Sequence, residues 1–153
     1  MRKINSLLPQ SPISKTLLIP LMARAGEAIK ANPVIKDEKA AKILSQIDVD
    51  DINIDGGEIS TLGILARTIV IDEEVGKLLV EIPDLTILNL GVGLDTRIGR
   101  IDNGRLQSYD LDLPEVIELR RKFFAESERF HFISGSVFDS DWTKVLDRLN
   151  SEK

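Results

Sequence analysis

The sequence predicts an α/β protein: an open parallel sheet led by helices. Three observations carry this reading. Residues 14–82 show helical spacing of apolar residues, whereas residues 85–150 alternate short β-branched runs with helical stretches. The first of those runs ends in Gly91-Val92-Gly93, the turn expected where a buried parallel strand enters a helix. The connections between runs are short, which favours strand–helix–strand crossovers over hairpins.

The elements follow in order. Ser14 can cap a first helix running to about Lys30, stopped by Asn32-Pro33; Pro20 implies a kink or a later start. Residues Asp37–Leu44 make a short second helix, and Asp48–Gly57 an acidic loop. A third helix is expected over Ser60–Thr68 and a fourth from Asp72 to Pro83, with acids in its first turn and a stripe of Val75, Leu78 and Leu79. Leu85–Leu90 is the first strand. Asp95 can cap a weak helix to about Ile101, and Asn103-Gly104 marks a turn. Leu106–Leu111 is the second strand. Pro114 opens a helix to about Ala125 at a favoured first position. Phe130–Ile133 is the third strand, Ser134–Asp141 a loop, and Trp142–Leu149 a last helix. Residues 1–83 thus form a helical lead-in and 84–153 the sheet-bearing part, together one compact domain.

Composition narrows the function. The chain has 153 residues and a net charge of −5, which argues against a nucleic-acid partner. It has no cysteine, so disulfides, thiolate catalysis and zinc–thiolate sites are excluded, and a reducing cytoplasm suits it. The apolar run Leu17–Met22 is interrupted by Pro20 and is too short for a signal segment or a membrane span.

The chemistry concentrates at two places. Gly91 and Gly93 let backbone approach a ligand closely at the carboxyl end of the first strand. A ligand-free strand–helix turn is an equal reading of that pair alone. A dinucleotide loop would need a third glycine where Thr96 stands, and no Gly-Lys-Ser/Thr phosphate loop is present. Asp110 and Asp112 end the second strand, about 20 residues past the glycine turn, where a carboxylate can accept hydrogen bonds from a ribose. Asp112 is favoured over Asp110; alternatively, one of the two caps the helix at Pro114.

Other features read as bland. Asp51–Gly56 copies half a calcium loop, but Leu62 stands where its glutamate should be. His131, the one histidine, lies between two phenylalanines and reads as a packed strand residue. Trp142 reads as packing and Arg120-Arg121-Lys122 as a solvated helix face.

Together these residues carry a resemblance. Asn89-Leu90-Gly91-Val92-Gly93-Leu94-Asp95-Thr96-Arg97 resembles the signature of the leucine carboxyl methyltransferase family, which includes polyketide-synthesis O-methyltransferases. Arg24-Ala25 with Pro33, Asp37 and Ala40-Ala41 is similar to that family's helical lead-in, and Ala66-Arg67-Thr68 with Ile71-Asp72 to its arginine helix. Tyr109–Ile117 resembles the acid motif, and Gly135-Ser136-Val137-Phe138-Asp139 with Trp142 the loop after the third strand.

The resemblance implies a Rossmann-like class I methyltransferase fold, present here through about three parallel strands. It implies S-adenosylmethionine as cofactor and a small-molecule carboxyl or hydroxyl acceptor. Gly91, Val92 and Gly93 would pack against the methionine portion, Arg67 would hold its carboxylate with Arg24 as a weaker candidate, Asp112 the ribose, and Ser136 and Val137 the adenine. Family members are about twice this length. The residues near the methyl group and the acceptor wall follow the fourth strand, so no catalytic residue is assigned. The first strand would be left with an open edge, to be covered by a second copy or a separate C-terminal half; a truncated, inactive remnant acting as a binding or interaction module is the alternative.

Overall fold

A computed structural model describes residues 12–48 and 57–144, with side chains from residue 16 onward. The element order is α1 (Pro12–Ala28), α2 (Glu38–Leu44), α3 (Gly57–Glu81), β1 (Thr86–Leu90), α4 (Ile98–Ile101), β2 (Gln107–Asp112), α5 (Pro114–Arg120) and β3 (Phe130–Ser134). The calcium-like sequence lies mostly outside the described residues. So does most of the expected last helix, of which residues 141–144 form one helical turn. The chain divides into two compact units, Met1–Pro83 with Leu94–Asn103, and Asp84–Gly93 with Gly104–Lys153.

The first unit is helical. α1 begins at Pro12 and runs through Pro20, so the later start is ruled out. Leu18 and Leu21, either side of that proline, are fully buried. Burying two leucines stabilises by roughly 3–6 kcal/mol, enough to offset the ~3 kcal/mol cost of an internal proline. Asp37 caps α2, its side chain accepting from the Ala40 amide.

The two helices expected over 60–68 and 72–83 are one helix of 25 residues. The β-branched run Ile69-Val70-Ile71 weakens helix propensity but contains no breaker, and the Thr68 hydroxyl is satisfied within the helix by the Ile64 carbonyl at 2.8 Å. Leu65, Thr68 and Leu79 are buried along one face, and Asp72 falls in the same register. Asp72 is therefore a mid-helix residue facing inward and not the start of a new helix.

The second unit is a parallel sheet in the order β1-β2-β3, with Leu88 opposite Tyr109 and Tyr109 opposite His131. The central strand β2 is buried over its four inner residues, as a parallel strand covered on both faces should be. Alternation sends Tyr109 and Leu111 to one face, where they form a core with Ile133, Leu88 and Trp142. Ser108 and Asp110 point to the other face, which α5 covers with Val116, Ile117, Leu119 and Arg120, all buried. His131 stacks on Tyr109 with ring centroids 5.0 Å apart, a packed residue as expected.

Two expectations on this face are corrected. α5 stops at Arg120 and not near Ala125; its C-cap is Arg121. Arg120 is no solvated residue. It lies four residues after Val116 and three after Ile117, on the inward face, and is 3% exposed. Arg121 and Lys122 do face solvent.

Candidate functional site

The carboxyl ends of the three strands meet in the sheet unit. Gly91 and Gly93 have φ of 65° and 53°, the left-handed region that glycine enters without strain. This conformation folds the turn back over the end of β2. The Gly91 and Val92 amides donate to the Leu111 carbonyl at 2.9 and 3.3 Å, and the Gly93 amide donates to Asp112 Oδ2 at 2.7 Å. Asp112 Oδ1 accepts from its neighbour Leu113 at 2.8 Å, and the Asp112 carbonyl accepts from the Gly135 amide at 2.9 Å. Three strand ends are thus tied together through Asp112.

Beside these bonds lies a crevice of about 190 Å³, lined by Gly91, Leu111, Asp112, Leu113 and residues 135–138. It brings together four of the residues singled out from sequence: Gly91, Asp112, Ser136 and Val137. A Cβ at Gly91 would meet nothing within 4 Å, so this backbone faces open space. The loop after β3 is shaped by its own bonds: Phe138 N–H donates to Ser136 Oγ at 3.2 Å, and Trp142 Nε1 donates to the Val137 carbonyl at 3.3 Å. Val137 is half-exposed, and Phe138 is 95% exposed at the crevice mouth.

The other named residues lie elsewhere. Val92 is buried, and both polar backbone atoms of Gly93 are engaged, so neither lines the crevice. Arg67 sits exposed on α3, in the helical unit. A larger groove of about 620 Å³ also lies in that unit, between α1 and α3, lined chiefly by apolar residues such as Ile19, Met22, Leu62 and Leu65. The smaller crevice is the better candidate, because convergent backbone and carboxylate groups rather than volume give a site its chemistry.

The helical unit holds an ionic cluster that local sequence patterns did not reveal. Asp37 accepts from Arg24 Nε at 3.0 Å, from Arg100 Nη1 at 2.7 Å and from the Thr96 hydroxyl. Asp72 takes Arg100 in a fork at 2.6 and 3.2 Å, and Arg97 at 3.1 Å. Arg24, the weaker carboxylate candidate, is buried, and it also donates to the Leu94 carbonyl at 3.1 Å. Burial pulls the Arg24 guanidinium below its ordinary pKa despite Asp95 and Asp37. Burial also opposes the charge of Arg100, but its bonds to Asp72 and the charges of Asp37 and Asp95 outweigh this and raise it. Asp95 does not cap α4, whose N-cap is Arg97; its Oδ1 accepts the Arg97 amide at 2.9 Å in a local turn. Burial pushes the Asp95 carboxyl up, yet Arg97, Arg24 and Arg100 together hold it below the usual range.

Among the described residues, no cluster of His, Cys, Asp and Glu suits a metal ion, and no helix is long and apolar enough to cross a membrane.

A parallel sheet whose first strand enters a glycine turn, with a carboxylate at the end of the second strand over a crevice, defines a Rossmann-like α/β unit. The leucine carboxyl methyltransferase family model matches residues 18–147, and the chain belongs to that family. It is 34% identical over 137 residues to the tetracenomycin polyketide synthesis O-methyltransferase TcmP of Streptomyces glaucescens, covering 89% of this chain and 51% of that protein. It is 32% identical over 145 residues to the S-adenosyl-L-methionine-dependent methyltransferase dpfgK of Gibberella zeae, covering 85% and 48%. The chain therefore spans about half the length of these curated relatives. No solved structure matches it.

Proposed function

We propose that this chain is the cofactor-binding part of an S-adenosylmethionine-dependent O-methyltransferase acting on a carboxyl or hydroxyl group of a small molecule. The carrying observation is the Asp112 crevice. Asp112 uses one acceptor site on each oxygen for the Gly93 and Leu113 amides. A carboxylate offers about four such sites. Two remain, which matches the two hydroxyl donors of a ribose. The crevice is smaller than the roughly 300–1,000 Å³ of whole-ligand pockets, so it suits the nucleoside end of the cofactor.

In this reading Ser136 and Val137 flank the adenine, and the Gly91-Val92-Gly93 turn packs against the methionine portion. When bound, the cofactor would supply an activated methyl group for an acceptor oxygen. This chain's residues hold and orient the donor for that in-line transfer, and orientation supplies much of the rate in such reactions. No residue here is assigned as the proton acceptor. The edge of β1, which pairs only with β2 among the described residues and ends in the half-exposed Leu90, is proposed to take a further strand.

Calorimetric titration of S-adenosylmethionine into the 153-residue chain tests the reading. Saturable binding, weakened by Asp112→Ala, is the expected result. A folded chain that fails to bind would sink it. Binding without methyl transfer, with or without an added C-terminal polypeptide, would leave a cofactor-binding module in place of an enzyme.

A further inference from the structure

The glycine turn is held by a buried polar network outside the residues that line the crevice. Arg120 Nη1 donates to the Gly93 carbonyl at 3.0 Å. The same guanidinium donates from Nε and Nη2 to Asp110 Oδ2 at 3.0 and 2.6 Å. The other oxygen of Asp110 accepts from Asn89 Nδ2 at 2.7 Å and from the Ser108 hydroxyl at 3.1 Å. Asn89 Nδ2 also reaches Ser108 Oγ at 3.1 Å. Arg120 and Asp110 are 3% and 4% exposed. The guanidinium carbon of Arg120 lies over the Phe124 ring, 4.1 Å from its centroid.

The network joins β1, β2, α5 and the glycine turn. We infer that Arg120, oriented by Asp110, is a positioning residue that fixes the Gly93 peptide and thereby the shape of the cofactor crevice. Three constraints lead there. The Gly93 peptide is gripped at both ends, its amide by Asp112 and its carbonyl by Arg120. Glycine has the widest conformational freedom of any residue, so a turn with two positive-φ glycines holds one shape only if something outside it does the holding. A buried arginine and aspartate are costly to keep in an apolar layer, where leucines of similar volume serve packing alone as well or better. Here the guanidinium's planar fork spans a carboxylate and a carbonyl together, which the single ammonium of lysine does poorly. Because the Gly93 amide shares Asp112 with the proposed ribose, a displaced Gly93 peptide displaces the ribose-binding carboxylate too.

The inference rests on the proposed cofactor reading, and its test separates the two. Arg120→Lys keeps the positive charge beside Asp110 but loses the fork. The double variant Arg120→Met/Asp110→Asn removes both charges and serves if the lysine variant fails to fold. Three quantities are measured on wild type and on whichever variant folds: thermal midpoint, hydrogen exchange at the Gly93 amide, and S-adenosylmethionine affinity. The expected result is a folded variant with faster Gly93 exchange than wild type, unchanged exchange in α5, and affinity weakened roughly tenfold or more, the scale of a lost charge-assisted hydrogen bond. A folded variant with wild-type Gly93 exchange and wild-type affinity would overturn the positioning role. So would exchange rising equally through α5 and β2, which marks loss of packing alone. Should wild type itself fail to bind the cofactor, the functional reading falls. The Gly93 exchange still decides whether Arg120 sets the turn.

Discussion

Asp37 is the residue whose removal the helical unit should tolerate least. Its carboxylate is 1% exposed and serves four donors: the Ala40 amide at the start of α2, Arg24, Arg100 and the Thr96 hydroxyl. Asp37→Ala loses an N-cap, costing about 1 kcal/mol. It also leaves Arg24, with a side chain 5% exposed, without its ion-pair partner in a buried site. Breaking a buried pair from one side costs about 3–5 kcal/mol. Arg100 keeps Asp72, so its loss is smaller. The sum is about 4–6 kcal/mol, a large part of an ordinary domain's 5–15 kcal/mol. For a chain of this size each kcal/mol moves the midpoint by roughly 2–4 °C, so Asp37→Ala should melt about 10–20 °C below wild type. Asp37→Asn keeps an acceptor for the Ala40 amide and loses only the charge; it should fall between the two, about 1 kcal/mol better than the alanine variant. Calorimetric melting of all three proteins at one pH measures this. An alanine variant melting within about 2 °C of wild type would refute the reasoning, because it would mean that the cluster's charges are solvated rather than mutually dependent.

The remaining expectations are smaller. Gly91→Ala places a Cβ in open space but forces alanine to a φ of 65°, so it should destabilise by about 1–2 kcal/mol through backbone strain and weaken cofactor binding, read by melting and titration. Asp95 has an ordinary pKa of 3.8, lowered in the fold because the attraction of three arginines outweighs the burial that raises it. A depressed carboxyl stabilises the fold above its unfolded value, and that contribution disappears as pH falls below 3.8 through the lower folded value. Urea unfolding of Asp95→Asn should therefore give a flatter loss of stability below about pH 4 than wild type, and an identical acid limb would count against the pairing. Arg105→Ala breaks an exposed pair with Asp84, whose side chains are 59% and 70% exposed, and should leave the melting midpoint unchanged to within about 2 °C.

The strands and the crevice were legible because their signals are local. Leu85–Leu90 and Phe130–Ile133 are short runs rich in residues that suit a pleated surface, and each ends in glycine within two residues, so period and punctuation agree. The continuity of α3 was hidden by Ile69-Val70-Ile71 and by Asp72, which imitates a helix start. Only tertiary pairing with Arg97 and Arg100 shows why an acid stands mid-helix. The Asp37 cluster was illegible for the same reason, since its members stand at 24, 37, 72, 96 and 100, and no periodicity links such separations. Arg120 could have been found. Its spacing from Val116 and Ile117 places it inward, and the neighbouring Arg121 and Lys122 disguised it as part of a charged patch.

The two acids at the end of β2 are partnered differently, although they stand on one strand. Asp110 and Asp112 are two residues apart and lean to the same side of the pleat, so alternation alone cannot tell them apart. Their neighbours do. Asp110 lies within the strand, where Arg120 of α5 donates to one oxygen and Asn89 of β1 and Ser108 of β2 donate to the other, so its acceptor capacity is taken up within the fold. Asp112 is the last residue of β2 and lines the crevice, and its carboxylate accepts the Gly93 and Leu113 backbone amides. A buried carboxylate saturated by a guanidinium and two side chains has little left to offer a sugar. A strand-end carboxylate held only by peptide donors is both oriented and available. Exchanging the two roles would require moving Arg120 by two residues of β2 register, about 7 Å, which the packing of Val116, Ile117 and Leu119 forbids.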